Sequence, residues 1–262
     1  MIYICFGMMK SASTFLYQLT EETFRAAGRK PVRLRPPFRP WWSVENYFDD
    51  IDPTLLDAIS EQVRARDVVL KTHQGLHPQV GRRIEAGRAL ACASIRDPRE
   101  IALAMVDHGL RSIRWGEPEF RECRTVFDTW PSLDNQVSNL GCWLALNPIE
   151  VFRYNDICFE TDAVVKRIAS RIGVTVDASE VLRTFSSKRI VGQFNRGAAL
   201  RYRDMPEGEQ SAFLDRYAGL YSAFRFDTPA AETVARSQEQ RRPTGRSGLS
   251  HRLAGVRRIL RP

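Results

Sequence analysis

The chain has 262 residues, of which 43% are hydrophobic, and this is enough for one α/β domain with a large core. Its formal net charge at pH 7 is +8, which permits an anionic partner. There is no apolar run of about 18 residues and no basic-aromatic nucleic-acid module, so we expect neither a transmembrane helix nor a nucleic-acid partner.

Cysteine usage and the N-terminus favour a cytoplasmic protein. The five cysteines include no CxxC pair, and several lie inside apolar runs, which is typical of reduced core thiols rather than disulfides or a metal site. The first residues lack a basic leader followed by an apolar stretch, so we expect no signal peptide.

Short apolar strands alternate with amphipathic helices along the chain. Strands are predicted at 2–6, 67–72, 89–95 and 150–154. Helices are predicted at 11–27, 53–66, 78–86, after Pro98, at 162–172 and at 207–224. This alternation predicts a three-layer α/β fold, in which a central, mainly parallel sheet has helices on both faces.

The composition changes after Thr228, so we predict a domain over 1–228 and a basic, flexible tail over 229–262. In the final stretch, Leu249, Leu253, Val256 and Leu260 can share one helical face among arginines. A basic amphipathic helix of this kind can make weak contact with an anionic membrane surface or a partner, and a frayed end is the alternative.

A possible phosphate-binding loop, "FGMMKSAST", follows the first predicted strand. Gly7 supplies a turn, Lys10 supplies a point charge, and Ser11, Ser13 and Thr14 supply hydroxyls where the first helix begins. Backbone N–H groups at a helix start bind anions, so the loop suits one phosphate. A plain turn with a solvated lysine and an N-capping serine is the structural alternative.

The loop does not match an ATP-binding Walker A sequence. That pattern has a glycine directly before the lysine, whereas Met9 precedes Lys10 here. No apolar strand ends in a lone aspartate that would hold magnesium. We therefore expect neither Mg-ATP nor a metal at this loop.

Two further strand ends carry residues suited to anion chemistry. His73 follows the second strand in "VVLKTH", and Arg96 follows the third in "SIRD". Because ligands of open α/β sheets sit at the carboxyl ends of strands, Lys10, His73 and Arg96 are expected to face one crevice. The alternatives are a structural histidine and an arginine paired with Asp97 or Glu100.

In order and spacing these segments resemble the sulfotransferases that use 3′-phosphoadenosine-5′-phosphosulfate (PAPS). "GMMKSASTF" resembles their 5′-phosphosulfate loop, commonly written PKSGTTW, and "KTH" resembles the strand end with the catalytic histidine. "RDPREIALAM" resembles the 3′-phosphate segment, "FRYNDI" a segment near the nucleotide, and "FNRGAALRYRDM" is a weaker match to the late RKGxxGDW segment.

The resemblance implies a P-loop-like nucleotide-binding fold and transfer of a sulfuryl group from PAPS to a hydroxyl or amine, with PAP as product and no metal. It makes His73 the catalytic base and Lys10 the stabiliser of charge on the bridging oxygen. The nucleotide-binding residues that it implies are Lys10, Ser11, Ala12, Ser13, Thr14, Phe15, Arg96, Tyr154, Arg196 and Gly197.

Four positions depart from the family's pattern. Ala12 stands where the loop usually has glycine, Phe15 stands for tryptophan, and Asn195 stands for an arginine. Ala104 replaces a serine eight residues beyond Arg96, which removes one expected hydrogen bond to the 3′-phosphate. The family's dimer motif has no match, so the oligomeric state stays open.

The acceptor is expected to be a small molecule or a glycan, and saccharide, lipid and phenolic acceptors all stay open. Two alternatives to the enzyme are a nucleotide-binding protein without catalysis and a P-loop small-molecule kinase. Two aromatic sets can either contact an acceptor or pack among themselves. They are Phe38, Trp41, Trp42 and Tyr47, and then Trp115, Phe120, Phe127 and Trp130.

Overall fold

A four-stranded parallel sheet forms the centre of the computed structural model. The structure describes residues 1–35, 38, 46–147, 149–188 and 200–226. The strand order across the sheet is β2-β1-β3-β4. These strands are β1 (Ile2–Gly7), β2 (Val68–Thr72), β3 (Leu90–Ile95) and β4 (Glu150–Arg153).

The described residues also form ten α-helices, which connect and cover the strands. They are α1 (Ser13–Ala26), α2 (Pro53–Val63), α3 (Pro78–Glu85), α4 (Pro98–Trp115), α5 (Trp130–Leu144), α6 (Tyr154–Phe159), α7 (Thr161–Arg171), α8 (Ala178–Lys188), α9 (Glu207–Arg216) and α10 (Ala218–Phe224). Two short 3-10 helices, at Phe127–Thr129 and Arg201–Asp204, complete the described elements.

Each face of the sheet packs on its own hydrophobic cluster, because successive side chains of a strand point to opposite faces. On β1, Tyr3 and Cys5 pack with residues of α1, α7 and α8. Ile4 and Phe6 pack on the other face with residues of α2 to α5, α9 and α10. The predicted three-layer α/β fold with a parallel sheet is therefore confirmed.

Four helical regions differ from the sequence predictions. Helix α5 was not predicted, because its Pro131, Gly141 and several Ser and Asn residues weaken a helical pattern. Helices α6 and α8 were also missed, and α6 begins at Tyr154, which was predicted as the end of the fourth strand. The single helix predicted over 207–224 is instead two, separated at Tyr217, whose φ of −110° departs from helical geometry.

Several sequence predictions fall outside the described residues. These include the tail over 229–262, the aromatic residues Trp41 and Trp42, and the nucleotide candidates Arg196 and Gly197. The division at Thr228 therefore stays a prediction. Among the residues that are described, no helix has the length and apolar character needed to cross a membrane.

The connection from β1 to α1 is tight and has unusual backbone geometry. A Cβ atom on Gly7 would lie 2.4 Å from the Ser13 Cβ and 2.4 Å from the Ser94 Oγ, so only glycine allows α1 to approach the strand this closely. Lys10 and Ala12 both have a φ of +64°. This left-handed conformation costs a non-glycine residue roughly 1–2 kcal/mol, so the connection is strained at two positions.

We predict that Ala12→Gly raises the free energy of unfolding by about 1 kcal/mol, because glycine adopts a positive φ without steric cost. Urea denaturation measures the change. The matched control is Ala58→Gly, which is also half-buried but lies inside α2 and should lose about 0.5–1 kcal/mol. A loss of stability in Ala12→Gly would contradict the strain at this position.

Candidate active site

The β1–α1 connection is held against β3 by a small hydrogen-bond network. The Met8 N–H donates to the Ser94 carbonyl oxygen at 3.1 Å. The buried Ser11 Oγ lies 2.6 Å from the Met8 carbonyl oxygen and 2.7 Å from the Ser94 Oγ. The Ser11 hydroxyl, a predicted phosphate ligand, is therefore engaged in shaping the loop.

Helix α1 begins without a side-chain cap. Its N-cap residue is Ala12, whose methyl group accepts no hydrogen bond. The first N–H groups of a helix have no intrahelical partner, and the helix dipole makes this end positive. The start of α1, which includes Ser13 and Thr14, is therefore suited to an anion.

Lys71, at the end of β2, adds a positive charge beside the start of α1. Its ammonium donates to the Thr14 Oγ1 at 2.7 Å and lies 5.6 Å from the centre of the Tyr47 ring. Only 6% of Lys71 is exposed. We did not single out this residue from the sequence, although it precedes the predicted catalytic histidine by two positions.

His73 binds the same connection through its ring. Its Nδ1 lies 2.5 Å from the Gly7 carbonyl oxygen. Because a carbonyl oxygen only accepts, Nδ1 carries the proton, and the neutral ring keeps a lone pair on Nε2. Burial and the charges of Lys71 and Lys10 lower the His73 pKa to about 3, although the Gly7 hydrogen bond opposes this. The free protein therefore holds His73 as a neutral base.

Helix α5 holds the backbone of His73 and of the residue that follows it. The Asn139 side-chain amide donates to the His73 carbonyl oxygen at 3.2 Å. The buried Trp143 indole donates to the Gln74 carbonyl oxygen at 2.9 Å. A third α5 residue, Gln136, accepts from the Met9 N–H in the β1–α1 connection. A helix that the sequence did not predict thus holds both the base and the loop.

Arg96 contacts the connection from the β3 side. Its guanidinium donates to the Lys10 carbonyl oxygen at 3.2 Å and to the Glu100 carboxylate at 2.9 Å. It also stacks 3.6 Å from the centre of the Tyr154 ring, at the start of α6. Arg96 therefore makes both contacts: the ion pair with Glu100, which was the structural alternative, and the hydrogen bond to the loop. Glu100 also accepts from the Tyr202 N–H at 3.0 Å, and burial raises its pKa.

The Lys10 side chain extends towards α4. Its ammonium donates to the His108 Nδ1 and lies 4.5 Å from the centre of the Phe120 ring. Burial and the neighbouring Arg111 charge lower the Lys10 pKa to about 8, although Glu119 opposes this. We did not identify His108 from the sequence. The one signal for it was its position four residues after Ala104 on a predicted helix.

Phe15, the predicted adenine-facing aromatic residue, stacks on Phe185 of α8 with their ring centres 5.2 Å apart. One face of its ring is therefore already in contact with protein. The second predicted aromatic set does not form one surface. Phe127 and Trp130 contact each other and Trp130 contacts Phe213, whereas Trp115 is exposed.

The predicted residues Lys10, His73 and Arg96 meet at one connection. His73 and Arg96 each bond a backbone carbonyl of this connection, whereas the Lys10 ammonium contacts His108 on α4. The ammonium of Lys71 contacts the start of α1. Among the described residues, no group of three or more His, Cys, Asp or Glu side chains is placed to hold a metal ion.

Comparisons with known proteins bear on the fold. No family model and no curated protein matches the chain. Mouse sulfotransferase SULT7A1, solved with PAP, is 12% identical with a TM-score of 0.55, and the match covers 89% of this chain and 87% of that chain.

Retinol dehydratase is similar in two solved complexes with PAP, one containing androsterone and the other retinol. The identities are 12% and 13%, and both TM-scores are 0.52. Each match covers 83% of this chain, with 79% and 80% of the other chain. The chain therefore has the P-loop-like α/β fold of the sulfotransferases.

Proposed function

We propose that the protein transfers a sulfuryl group from PAPS to a hydroxyl or amine of a small-molecule or glycan acceptor and releases PAP. The observation that carries this proposal is the β1–α1 connection. It combines an uncapped helix start with a neutral histidine on one side and an arginine on the other. The helix start can hold a negatively charged donor, the histidine can act as the base, and the arginine can hold a second phosphate.

The residues of the connection fit the nucleotide's two anionic ends. The N–H groups and hydroxyls at Ser13 and Thr14 suit the 5′-phosphosulfate, with the Lys71 ammonium beside them. Arg96 suits the 3′-phosphate, since its planar guanidinium forms strong charge-assisted hydrogen bonds. Ser11 serves indirectly in this proposal, because its hydroxyl maintains the loop that presents these groups.

His73 is the proposed general base. Its Nε2 takes the proton of the acceptor hydroxyl or amine while the acceptor atom forms its bond to sulfur. The bond from sulfur to the 5′-phosphate oxygen breaks in the same displacement, and its electron pair stays on that oxygen. Lys71, whose ammonium contacts Thr14 at the start of α1, would stabilise this developing negative charge, and Lys10 of the loop is the second proposed stabiliser. The proton then leaves His73 to solvent.

The low pKa of His73 in the free protein is consistent with this role. Burial is the largest cause, and the positive charges of Lys71 and Lys10 add to it. A bound donor with several negative charges would offset both, so the His73 pKa rises when the nucleotide binds. The base therefore gains proton affinity when its substrate is present, and the ideal catalytic pKa lies near the operating pH.

Tyr47 offers a surface for the acceptor beside the base. Its ring centre lies 5.4 Å from that of His73, and its hydroxyl donates to Asp49 at 2.8 Å. A flat ring of this kind packs against a sugar, a sterol-like ring or a phenol. The neighbouring retinol dehydratase structures contain androsterone and retinol, which supports a small-molecule acceptor. A cytoplasmic location and the absence of a nucleic-acid partner stay predictions.

The first test of this function is nucleotide selectivity. We predict that the protein binds PAP at least about 10-fold more tightly than 5′-AMP, because a hydrogen bond to a charged group contributes about 1.5–3 kcal/mol. Isothermal titration calorimetry measures both. Arg96→Lys should reduce the difference, since lysine lacks the planar fork. Arg99→Lys is the control, because Arg99 bonds Asp97. Preference for Mg-ATP over PAP would favour a kinase instead.

The second test separates catalysis from binding. We predict that His73→Asn lowers kcat by about 10²–10⁴ while the PAP Kd stays within about threefold. The asparagine amide can still donate to the Gly7 carbonyl oxygen, but it provides no base. The assay follows labelled PAPS with saccharide, lipid and phenolic acceptors and with a cell extract. His77→Asn is the control, since His77 caps α3. PAP binding without transfer to any acceptor would support the non-catalytic alternative.

The third prediction concerns protonation of the base. With a His73 pKa of about 3, the ring should stay neutral from pH 8 to pH 5 in the free protein. Long-range ¹H–¹⁵N NMR spectra should show the proton on Nδ1 throughout. The unfolded chain takes up this proton near pH 6.5, so stability is lost as pH falls from about 6.5 towards 3. His73→Asn should remove that part of the pH dependence. A His73 titration near pH 6.5 would contradict the prediction.

A further inference from the structure

Helix α4 and the residues just before it line one side of the β1–α1 connection. Arg96 donates to the Lys10 carbonyl oxygen at 3.2 Å, and His108 contacts the Lys10 ammonium. Ala104 lies on α4 four residues before His108, so these two side chains are neighbours on the same helix face. One turn before His108, this face therefore carries only the small, buried methyl group of Ala104.

His108 is oriented by its contacts with Lys10 and Phe120. The imidazole is half-buried, and its ring centre lies 5.2 Å from that of Phe120. An ammonium group only donates hydrogen bonds, so Nδ1 of His108 is the acceptor and the neutral ring carries its proton on Nε2. Nε2 of His108 therefore carries an N–H group that can donate a hydrogen bond to a phosphate oxygen.

The charges around His108 favour an anion. Lys10 faces it from the connection, Arg111 from α4, and Glu119 from the segment after α4. Burial and the two cations lower the His108 pKa to about 4, whereas Glu119 opposes them. Two cations against one carboxylate leave a positive environment around a neutral donor.

We propose that His108 binds the 3′-phosphate of the nucleotide together with Arg96, on the face of α4 that carries Ala104. This inference rests on the proposed function. A serine at position 104 would place a hydroxyl there, but this chain has a methyl group. The longer imidazole, one helical turn further on, supplies the missing donor through Nε2–H. Nδ1 of the same ring keeps the Lys10 ammonium beside the nucleotide.

The His108 ring stays neutral in this role. A second proton would have to go to Nδ1, which faces the Lys10 ammonium, so protonation of the ring would break that contact. His108 therefore contributes to the preference for PAP over 5′-AMP as a neutral N–H donor.

The test is the ratio of the 5′-AMP Kd to the PAP Kd, measured by calorimetry at pH 7.5. His108→Asn keeps a polar group near the Nδ1 position but removes the Nε2 donor. It should lower the ratio by about 10-fold or more, which is the lower end expected for a hydrogen bond to a charged group. Any effect of Lys10 that is common to both nucleotides cancels in this ratio.

Two further variants test whether the N–H donor is the group that matters. His108→Gln places an amide N–H donor near the Nε2 position, so it should keep a preference for PAP. Ala104→Ser added to His108→Asn should recover at least about threefold of the lost ratio. Thermal unfolding of each variant checks that the fold is retained.

The outcomes distinguish this inference from the proposed function. If the unmodified protein prefers PAP and His108→Asn keeps the same ratio, the role of His108 is wrong and the proposed function stands. If His108→Asn weakens both nucleotides equally, the histidine acts only through Lys10, and the inference is again wrong. If the unmodified protein does not distinguish PAP from 5′-AMP, the proposed function itself fails.

Discussion

The candidate site depends on two backbone carbonyl groups of the β1–α1 connection. The Gly7 carbonyl accepts from His73, and the Lys10 carbonyl accepts from Arg96. Each bond joins the connection to a residue that follows a neighbouring strand, β2 on one side and β3 on the other. The carbonyls are therefore used by the flanking side chains, while the uncapped N–H groups at the start of α1 remain suited to an anion.

The positive charge of the site is costly in the free protein. Lys71 and Arg96 are almost fully buried, and the Lys10 pKa is lowered to about 8. The Arg96 guanidinium is paired with the Glu100 carboxylate. Burying like charges near one another disfavours their charged forms, and an anionic ligand relieves that cost. Ligand binding and the protonation of His73 are therefore coupled.

The sequence predicted the parallel sheet, and it placed Lys10, His73 and Arg96 at strand ends that share one edge of that sheet. Their roles at the nucleotide stay predictions. The sequence did not predict the partners that orient these residues. Gln136 and Asn139 lie on α5, whose polar composition hid its helical spacing. The Lys10 contact to His108 joins residues 98 positions apart, and no local pattern encodes such a pairing. Ser11 appeared to be a ligand by type, but burial assigns its hydroxyl to the loop.

Two histidines meet this connection with opposite orientations of the imidazole proton. At His73 a carbonyl oxygen faces Nδ1, so the proton stays on Nδ1 and Nε2 presents a lone pair. At His108 an ammonium faces Nδ1, so the lone pair is used there and Nε2 presents an N–H. The same side chain thus becomes a base at one end of the loop and a donor at the other. The partner on Nδ1 decides which chemistry each ring provides, and burial together with the neighbouring cations lowers the pKa of both rings and keeps them neutral.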